Sequence, residues 1–429
     1  MSSSLTWLRE PVPPPVTAAR RLRRLRRPGL APLDPAAARD RSVRRRVNAA
    51  WGLLYFNTLT FVPATSVLDL PSKLGKGLAQ AALPLAILVA LTVNPRIRVR
   101  PNVFLCLVSL LLLDTVITAV EVHHVGTLFR TFRLAEFVTA LWLLTPWWGR
   151  EDMLLFRCHL RWLAVSLGTV LLGLAVAPGR AFSYDGRLTG VIWPMLPTQI
   201  AQYAAITVGL MLMLWLGRRL SGRATVLGVV VAVAVLLLTH TRTALVALVA
   251  GIVIAGLSSF TSNARVRRFF VAVMGIVTAG VLTVAGLVTT WLARGENAEG
   301  LTTLTGRTNF WALVLDMPRN TFQEIAGFGL SNASINGLPI DSNWLSSYLQ
   351  EGVVGVVTCA AILIWLFVVA FFARPGLRRS LALFLITYCL VASFTEDAFT
   401  SASTYLLDLT VAASLLAAPA LGRRGSKTR

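Results

Sequence analysis

The stretch 352-GVVGVVTCAAILIWLFVVAFFA-373 holds no charged residue and is followed at once by RPGLRR, residues 374–379. A helix of ~20 apolar residues crosses the hydrocarbon core of a bilayer, so this run reads as a membrane span with a basic stop at one end. Working outward, similar apolar segments fall at 48–66, 74–93, 102–121, 128–146, 159–177, 196–216, 223–239, 243–260, 268–292, 379–394 and 402–420. With the quoted run they make about twelve, which predicts an all-α, polytopic integral membrane protein. Composition agrees: the chain is 55 % hydrophobic and 14 % charged, with a mean hydropathy of +0.68. That excludes a disordered basic protein, a zinc module and a small disulfide scaffold. Cys106, Cys158, Cys359 and Cys389 lie in or beside apolar runs without CxxC spacing, and read as small hydrophobes in helices.

The chain carries 41 Lys+Arg against 19 Asp+Glu, a net charge of +22. In a soluble protein such a balance points to nucleic acid; here its position along the chain says otherwise. Residues 1–47 contain PVPPP, RRLRRLRRPG and RSVRRR and read as a basic, mostly disordered tail, with a short helix on anionic lipid headgroups as the alternative. With this tail in the cytoplasm, five alternate connections fall on the same side: Arg96/Arg98/Arg100, Arg150/Arg157/Arg161, Arg218/Arg219/Arg223, Arg265/Arg267/Arg268 and Arg374/Arg378/Arg379. The basic C-terminus, 423–429, joins them. This is the positive-inside pattern. The basicity is therefore a topology signal, and no nucleic-acid partner is expected. The membrane domain runs over 48–422, with both termini cytoplasmic. Its one long connection, 293–344, comes out external. Phe310, Trp311, Val314 and Leu315 at helical spacing predict short amphipathic helices in that loop, and a loop that long is usually functional.

Arginines that break the sorting rule are the informative ones. Arg130 and Arg133 lie inside the fourth segment with Glu136 on the same face, and Asp114, Thr118 and Glu121 share a face of the third. They read as a buried ion-pair lock between neighbouring helices, or as a site for an anionic headgroup. Arg187 lies in Tyr184-Asp185-Gly186-Arg187, Arg242 in the short turn Thr239-His240-Thr241-Arg242-Thr243, and Arg307 in the long loop. Three external arginines from three connections suit a convergent phosphate site, because a guanidinium fork matches phosphate oxygens. The alternative is three unrelated surface arginines. Asp341, in Pro339-Ile340-Asp341-Ser342-Asn343, stands where the loop re-enters the membrane; it reads as a general base or as a helix cap. Glu396 and Asp397 form an acidic pair in the last external turn. His123, His124, His159 and His240 are scattered, and neither HExxH, DxD, Walker nor Rossmann patterns occur, so no metal and no cofactor is expected.

In their order and external placement these pieces resemble the O-antigen ligase / O-antigen polymerase superfamily over about residues 180–400. The resemblance rests on Arg187-x-x-Gly190 before a Pro-containing helix and on the Thr239–Ala244 turn. It rests also on a loop opening Gly306-Arg307-Thr308, on Gly327-x-Gly329 within it, and on Gly352-x-x-Gly355 beyond Asp341. It implies metal-independent glycosyl transfer at the outer face of the cytoplasmic membrane, from a polyprenyl-pyrophosphate-linked glycan to a glycan or glycolipid hydroxyl. Arg187, Arg242 and Arg307 would then bind the pyrophosphate. Asp341 would activate the acceptor, at the position where the ligase branch has the His of a His-Asn pair. Arg130, Arg133, His240, Asn343, Glu396 and Asp397 are accessory candidates. Two other classes stay open: a transporter or flippase for lipid-linked sugars, which would be expected to show internal repeats, and a non-catalytic membrane subunit of an envelope polysaccharide assembly machine.

Overall fold

The computed structural model describes residues 35–62, 65–67, 71–260, 264–273, 307–330, 334–335, 338–397 and 399–418, without the side chains at 35–36, 260, 307–310, 334–335 and 338–339. In chain order the helices are α1 (Pro35–Asn57), α2 (Ser72–Val93), α3 (Val103–Val122), α4 (Val125–Leu144), α5 (Leu154–Val176), α6 (Pro197–Leu216), α7 (Gly222–Leu238) and α8 (Arg242–Phe260). The long connection then contributes α9 (Arg307–Leu315) and α10 (Thr321–Ala326), followed by α11 (Asn343–Phe372), α12 (Leu377–Ala392) and α13 (Thr404–Leu416). Two two-residue strands, β1 (Ser334–Ile335) and β2 (Leu338–Pro339), pair antiparallel just before α11.

Among the described residues, 6 helices are long and apolar enough to cross a membrane: α2, α3, α5, α6, α8 and α11. The others fall short for visible reasons. α4 carries Arg130, Arg133 and Glu136 within its 20 residues. α7, α12 and α13 have 17, 16 and 13 residues, and at ~1.5 Å per residue they are shorter than a hydrocarbon core of ~30 Å. The apolar segment expected at 268–292 is helical as far as residue 273 and otherwise lies outside the described residues.

The end of the basic tail is helical, as the short-helix alternative for that stretch allowed. α1 begins at Pro35, inside the stretch 1–47 read as mostly disordered. Proline suits the first turn of a helix, Ala and Arg favour its interior, and Asp40 pairs with Arg44 at i, i+4 (2.6 Å). Among the described residues, the start of α1 as far as Arg44 falls in one unit and the chain from Arg45 in another. Residues 1–34 and the C-terminal 423–429 lie outside the described residues.

The basic connections do gather at one end of the bundle. Arg378 donates to the carbonyl of Arg150 (2.8 Å), Arg265 to that of Trp215 (2.9 Å) and Arg100 to that of Trp148 (2.9 Å). Each bond ties one arginine-bearing connection to the chain at a neighbouring one. α6, α12 and α13 form the most enclosed layer. Phe384 of α12 is wholly buried between α6 and α8. A Cβ on Gly209 would stand 1.9 Å from its ring and one on Gly251 2.8 Å, so small residues on both neighbours let the aromatic in.

At the opposite end, the close of the long connection clamps a break in α11. Gly352 has φ 61° inside that helix, and its missing Cβ would stand 2.4 Å from the Ile325 carbonyl carbon. The α11 carbonyls near the break are satisfied by the loop: Phe328 N–H donates to Leu349 (2.9 Å) and Gly329 N–H to Gln350 (2.8 Å). Gly327, at φ 76°, would put a Cβ 2.3 Å from Gln350. Glycine is needed on both sides because left-handed backbone and close approach coincide there.

Candidate functional site

A cavity of about 530 Å³ opens at the end of the bundle away from the basic connections. Its walls come from four irregular segments and one helix start: Thr58 and Thr60 after α1, Tyr184 and Arg187 before α6, Gln199 and Gln202 at the start of α6, Ile340 and Asp341 before α11, and Glu396, Asp397 and Ser401–Tyr405 around the α12–α13 connection. Irregular backbone within a membrane protein is tolerated where it lines such a space.

Each polar wall is built by local chemistry. Asp185 and Gly186 both have positive φ, 48° and 68°, which makes Tyr184–Arg187 a two-residue hairpin turn of the type that Asp-Gly favours. The turn brings Arg187 against the Thr239–Thr243 connection, where Nε donates to Thr239 O (2.9 Å) and Nη2 to Thr241 Oγ1 (3.0 Å). Thr395 Oγ1 bonds Thr243 Oγ1 (2.7 Å), so the α12–α13 connection joins the same turn. Asn343 is fully buried and pins that connection from the other side: its Oδ1 accepts from Phe399 N–H (2.7 Å) and its N–H donates to Ser393 O (2.9 Å). Gln199 fastens the segment after α1, accepting from Thr60 N–H (2.9 Å) and Thr60 Oγ1 (2.8 Å) and donating to Thr58 O (2.8 Å).

Behind the cavity floor lies a second polar layer. Gln202 accepts from Thr404 Oγ1 (3.0 Å) and donates to Asp408 Oδ2 (2.8 Å). Asp408 Oδ1 lies 2.8 Å from His159 Nε2. That contact is close enough for an ion pair when the ring is protonated. Both residues are fully buried, and Trp51 and Tyr55 pack edge-on to the imidazole with centroids 6.0 Å away.

Of the sequence candidates, Arg187, Asp341, Glu396 and Asp397 meet in this cavity. Asp341 is not the cap of α11; that position belongs to Ser342, and the helix starts at Asn343. His240, at φ 50°, and Arg242, which opens α8, belong to the turn that Arg187 grips, but neither lines the cavity. Arg307 opens α9, and its side chain lies outside the described residues. Arg130 and Arg133 are not brought to the cavity. Of the residues read as an ion-pair lock between α3 and α4, Asp114 and Arg133 do not meet: Arg133 donates to Asn57 Oδ1 (3.1 Å) at the end of α1, while Asp114 Oδ2 is buried without a partner. α3 packs against α11 as well as against α4. No group of three or more His, Cys, Asp or Glu positioned for a metal occurs among the described residues.

Thr58, Thr60, Gln199, Gln202 and Asp408 are not singled out by the sequence reading, and His159 appears there only among scattered histidines. Asp408 had a usable signal, an acid inside an apolar segment, and Gln199 and Gln202 recur at i, i+3 on one helix. The threonines had none. Comparison with known proteins finds no matching family model and no matching curated protein.

Proposed function

We propose that the protein transfers or polymerises a glycan, taking it from a polyprenyl-pyrophosphate carrier to an acceptor hydroxyl at the outer face of the cytoplasmic membrane. About twelve spans, cytoplasmic termini and an external 293–344 connection belong to this proposal. One observation carries it: Arg187 and Asp341, distant in sequence, line one cavity at the end of the bundle opposite the basic connections. A volume of about 530 Å³ lies within the ~300–1,000 Å³ of small-molecule sites.

The chemistry is a displacement at the anomeric carbon. The acceptor oxygen attacks that carbon as its bond to the pyrophosphate oxygen breaks, inverting its configuration. Asp341 takes the acceptor proton. The leaving pyrophosphate keeps the bonding electrons, and the fixed guanidinium of Arg187 faces the added charge. Arg242, on the turn that Arg187 grips, and Arg307 are the further candidates for the same anion. Glu396 and Asp397 offer acceptors to sugar hydroxyls. The test is transfer by purified protein in lipid nanodiscs, given a polyprenyl-pyrophosphate glycan and candidate acceptors. Arg187→Ala and Asp341→Asn should remove product while leaving the thermal midpoint near wild type, and wild-type turnover by both variants would end the assignment.

A second reading, transport of a lipid-linked sugar, is favoured by the break in α11 at Gly352, since transporters place substrates at discontinuous helices. Movement of labelled lipid-linked glycan across proteoliposomes without any new glycosidic bond would select it.

A further inference from the structure

The break in α11 holds a second feature that neither reading uses. Glu351 directly precedes Gly352 and is completely buried, and neither carboxylate oxygen has a hydrogen-bond partner. Asp114 of α3, the helix packed on this part of α11, is 7 % exposed, and its Oδ2 is also unpartnered. Asp114 is the foremost charge acting on Glu351, followed by Asp397. Among the described residues neither Asp114 nor Glu351 has a cationic partner. Arg133 turns to Asn57. Arg319 stacks on Tyr348 at 4.0 Å and donates to Val314 O (2.9 Å).

The space around Glu351 is also built. A Cβ on Gly355, one turn on, would stand 2.8 Å from Glu351 Oε2 and 2.4 Å from its Cβ, so glycine there makes room for the carboxylate to fold along the helix. Ser347, one turn back, is fully buried, with its Oγ 3.5 Å from Cys359 Sγ. Thr118, one turn from Asp114, bonds the carbonyl of Ala326 (3.0 Å) and so ties α3 to the loop that clamps the break. Two desolvated carboxylates cannot persist as bare charges in a low-dielectric interior; they need a counter-charge.

We propose that Asp114 and Glu351 bind one monovalent cation, a proton or Na⁺, at the break in α11. Discontinuous helices bring backbone carbonyl oxygens to such ions in membrane proteins, and here a buried acid stands beside the break. The titratable neighbours are Asp397 of the α12–α13 connection and Cys359 on α11 itself. α10 meets the break with backbone, the carbonyls of Glu324 and Ile325.

The test is thermal unfolding of the purified full chain between about pH 5 and 9, with Na⁺ exchanged for N-methylglucamine at constant ionic strength. A midpoint that rises with Na⁺ at high pH identifies Na⁺. A midpoint that falls as pH rises, whatever the salt, identifies the proton. In either case Glu351→Gln should lose the dependence, and Gly355→Ala, which fills the cradle and keeps the acid, should weaken it. Should Glu351→Gln not fold, the wild-type chain is treated with dicyclohexylcarbodiimide, which adds to protonated buried carboxyls. The expected result is an adduct on Glu351 or Asp114, suppressed by Na⁺ or by high pH. A wild-type midpoint indifferent to both ions, the same dependence in a folded Glu351→Gln, or modification at neither acid would overturn the proposal.

Discussion

Replacing Arg187 by Lys keeps a positive charge at the cavity wall and removes the fork. In the native chain Nε and Nη2 are engaged 2.9 Å and 3.0 Å from two acceptors of one turn, Thr239 O and Thr241 Oγ1. A lysine ammonium is a single point on a flexible stem. It can satisfy one of those acceptors or face a ligand, but it cannot be held rigid by the turn while doing so. A hydrogen bond involving a charged group contributes ~1.5–3 kcal/mol. If the loss falls on the transition state, turnover drops about 10- to 150-fold. Arg187→Ala also removes the charge and should fall further. The assay is initial-rate transfer in nanodiscs with both substrates varied, so that kcat and KM separate. Steady-state expression and the unfolding midpoint serve as controls, so that stability lost with the bonds to Thr239 and Thr241 is separated from the loss of turnover. Wild-type kcat/KM in Arg187→Lys would refute the reasoning about the fork. Wild-type kcat/KM in Arg187→Ala would refute the anion site itself.

Three further outcomes are expected. Asp341→Asn should lower kcat by ~10²–10⁴ with donor binding retained, measured by single-turnover transfer and by donor titration. Gly209→Ala drives a methyl to within 1.9 Å of the Phe384 ring; overpacking of this kind costs ~1–3 kcal/mol, read as a lower unfolding midpoint that Phe384→Leu should partly restore. Asp408→Asn leaves the buried His159 without its acid, and removing one partner of a buried pair costs ~3–5 kcal/mol. That loss should show as reduced yield and thermal stability, whereas Asp408→Asn combined with His159→Leu should recover part of it.

Helices were the most legible part of the chain, for a physical reason. An uncharged run such as 352–373 has few ways to be buried, and arginine triplets between runs mark their ends. The Gly327-x-Gly329 and Gly352-x-x-Gly355 patterns were visible as motifs, but not as two sides of one contact. Only the fold reveals that Gly327 and Gly352 share a backbone approach. The surroundings of Asp114 are not legible in the sequence, because helical spacing identifies a face and says nothing of which neighbour covers it. Arg187 and Asp341 were chosen singly, on sidedness and on position in a loop. That they face one cavity depends on the Asp185-Gly186 turn and on Asn343 pinning the α12–α13 connection, both tertiary facts.

The charge within the cavity sharpens the proposed chemistry. Among the described residues one guanidinium and three carboxylates line it, a poor composition for a site that merely binds phosphate, since the acids would repel the ligand. The two signs come from different chain segments. Arg187 is held on the 184–187 and 239–241 turns, and the acids stand on the approach to α11 and on the α12–α13 connection. A lipid-linked glycan is itself divided in this way, with an anionic pyrophosphate at one end and neutral, hydroxyl-rich sugar at the other. On the proposed reading the pyrophosphate lies against Arg187 with the sugar under Asp341, Glu396 and Asp397. The same carboxylate repulsion then favours the transition state, because it disfavours negative charge near the sugar while the breaking bond delivers that charge to the arginine side. Free pyrophosphate, lacking the sugar, should accordingly compete only weakly with the intact donor, and competition at equal affinity would contradict this division of the cavity.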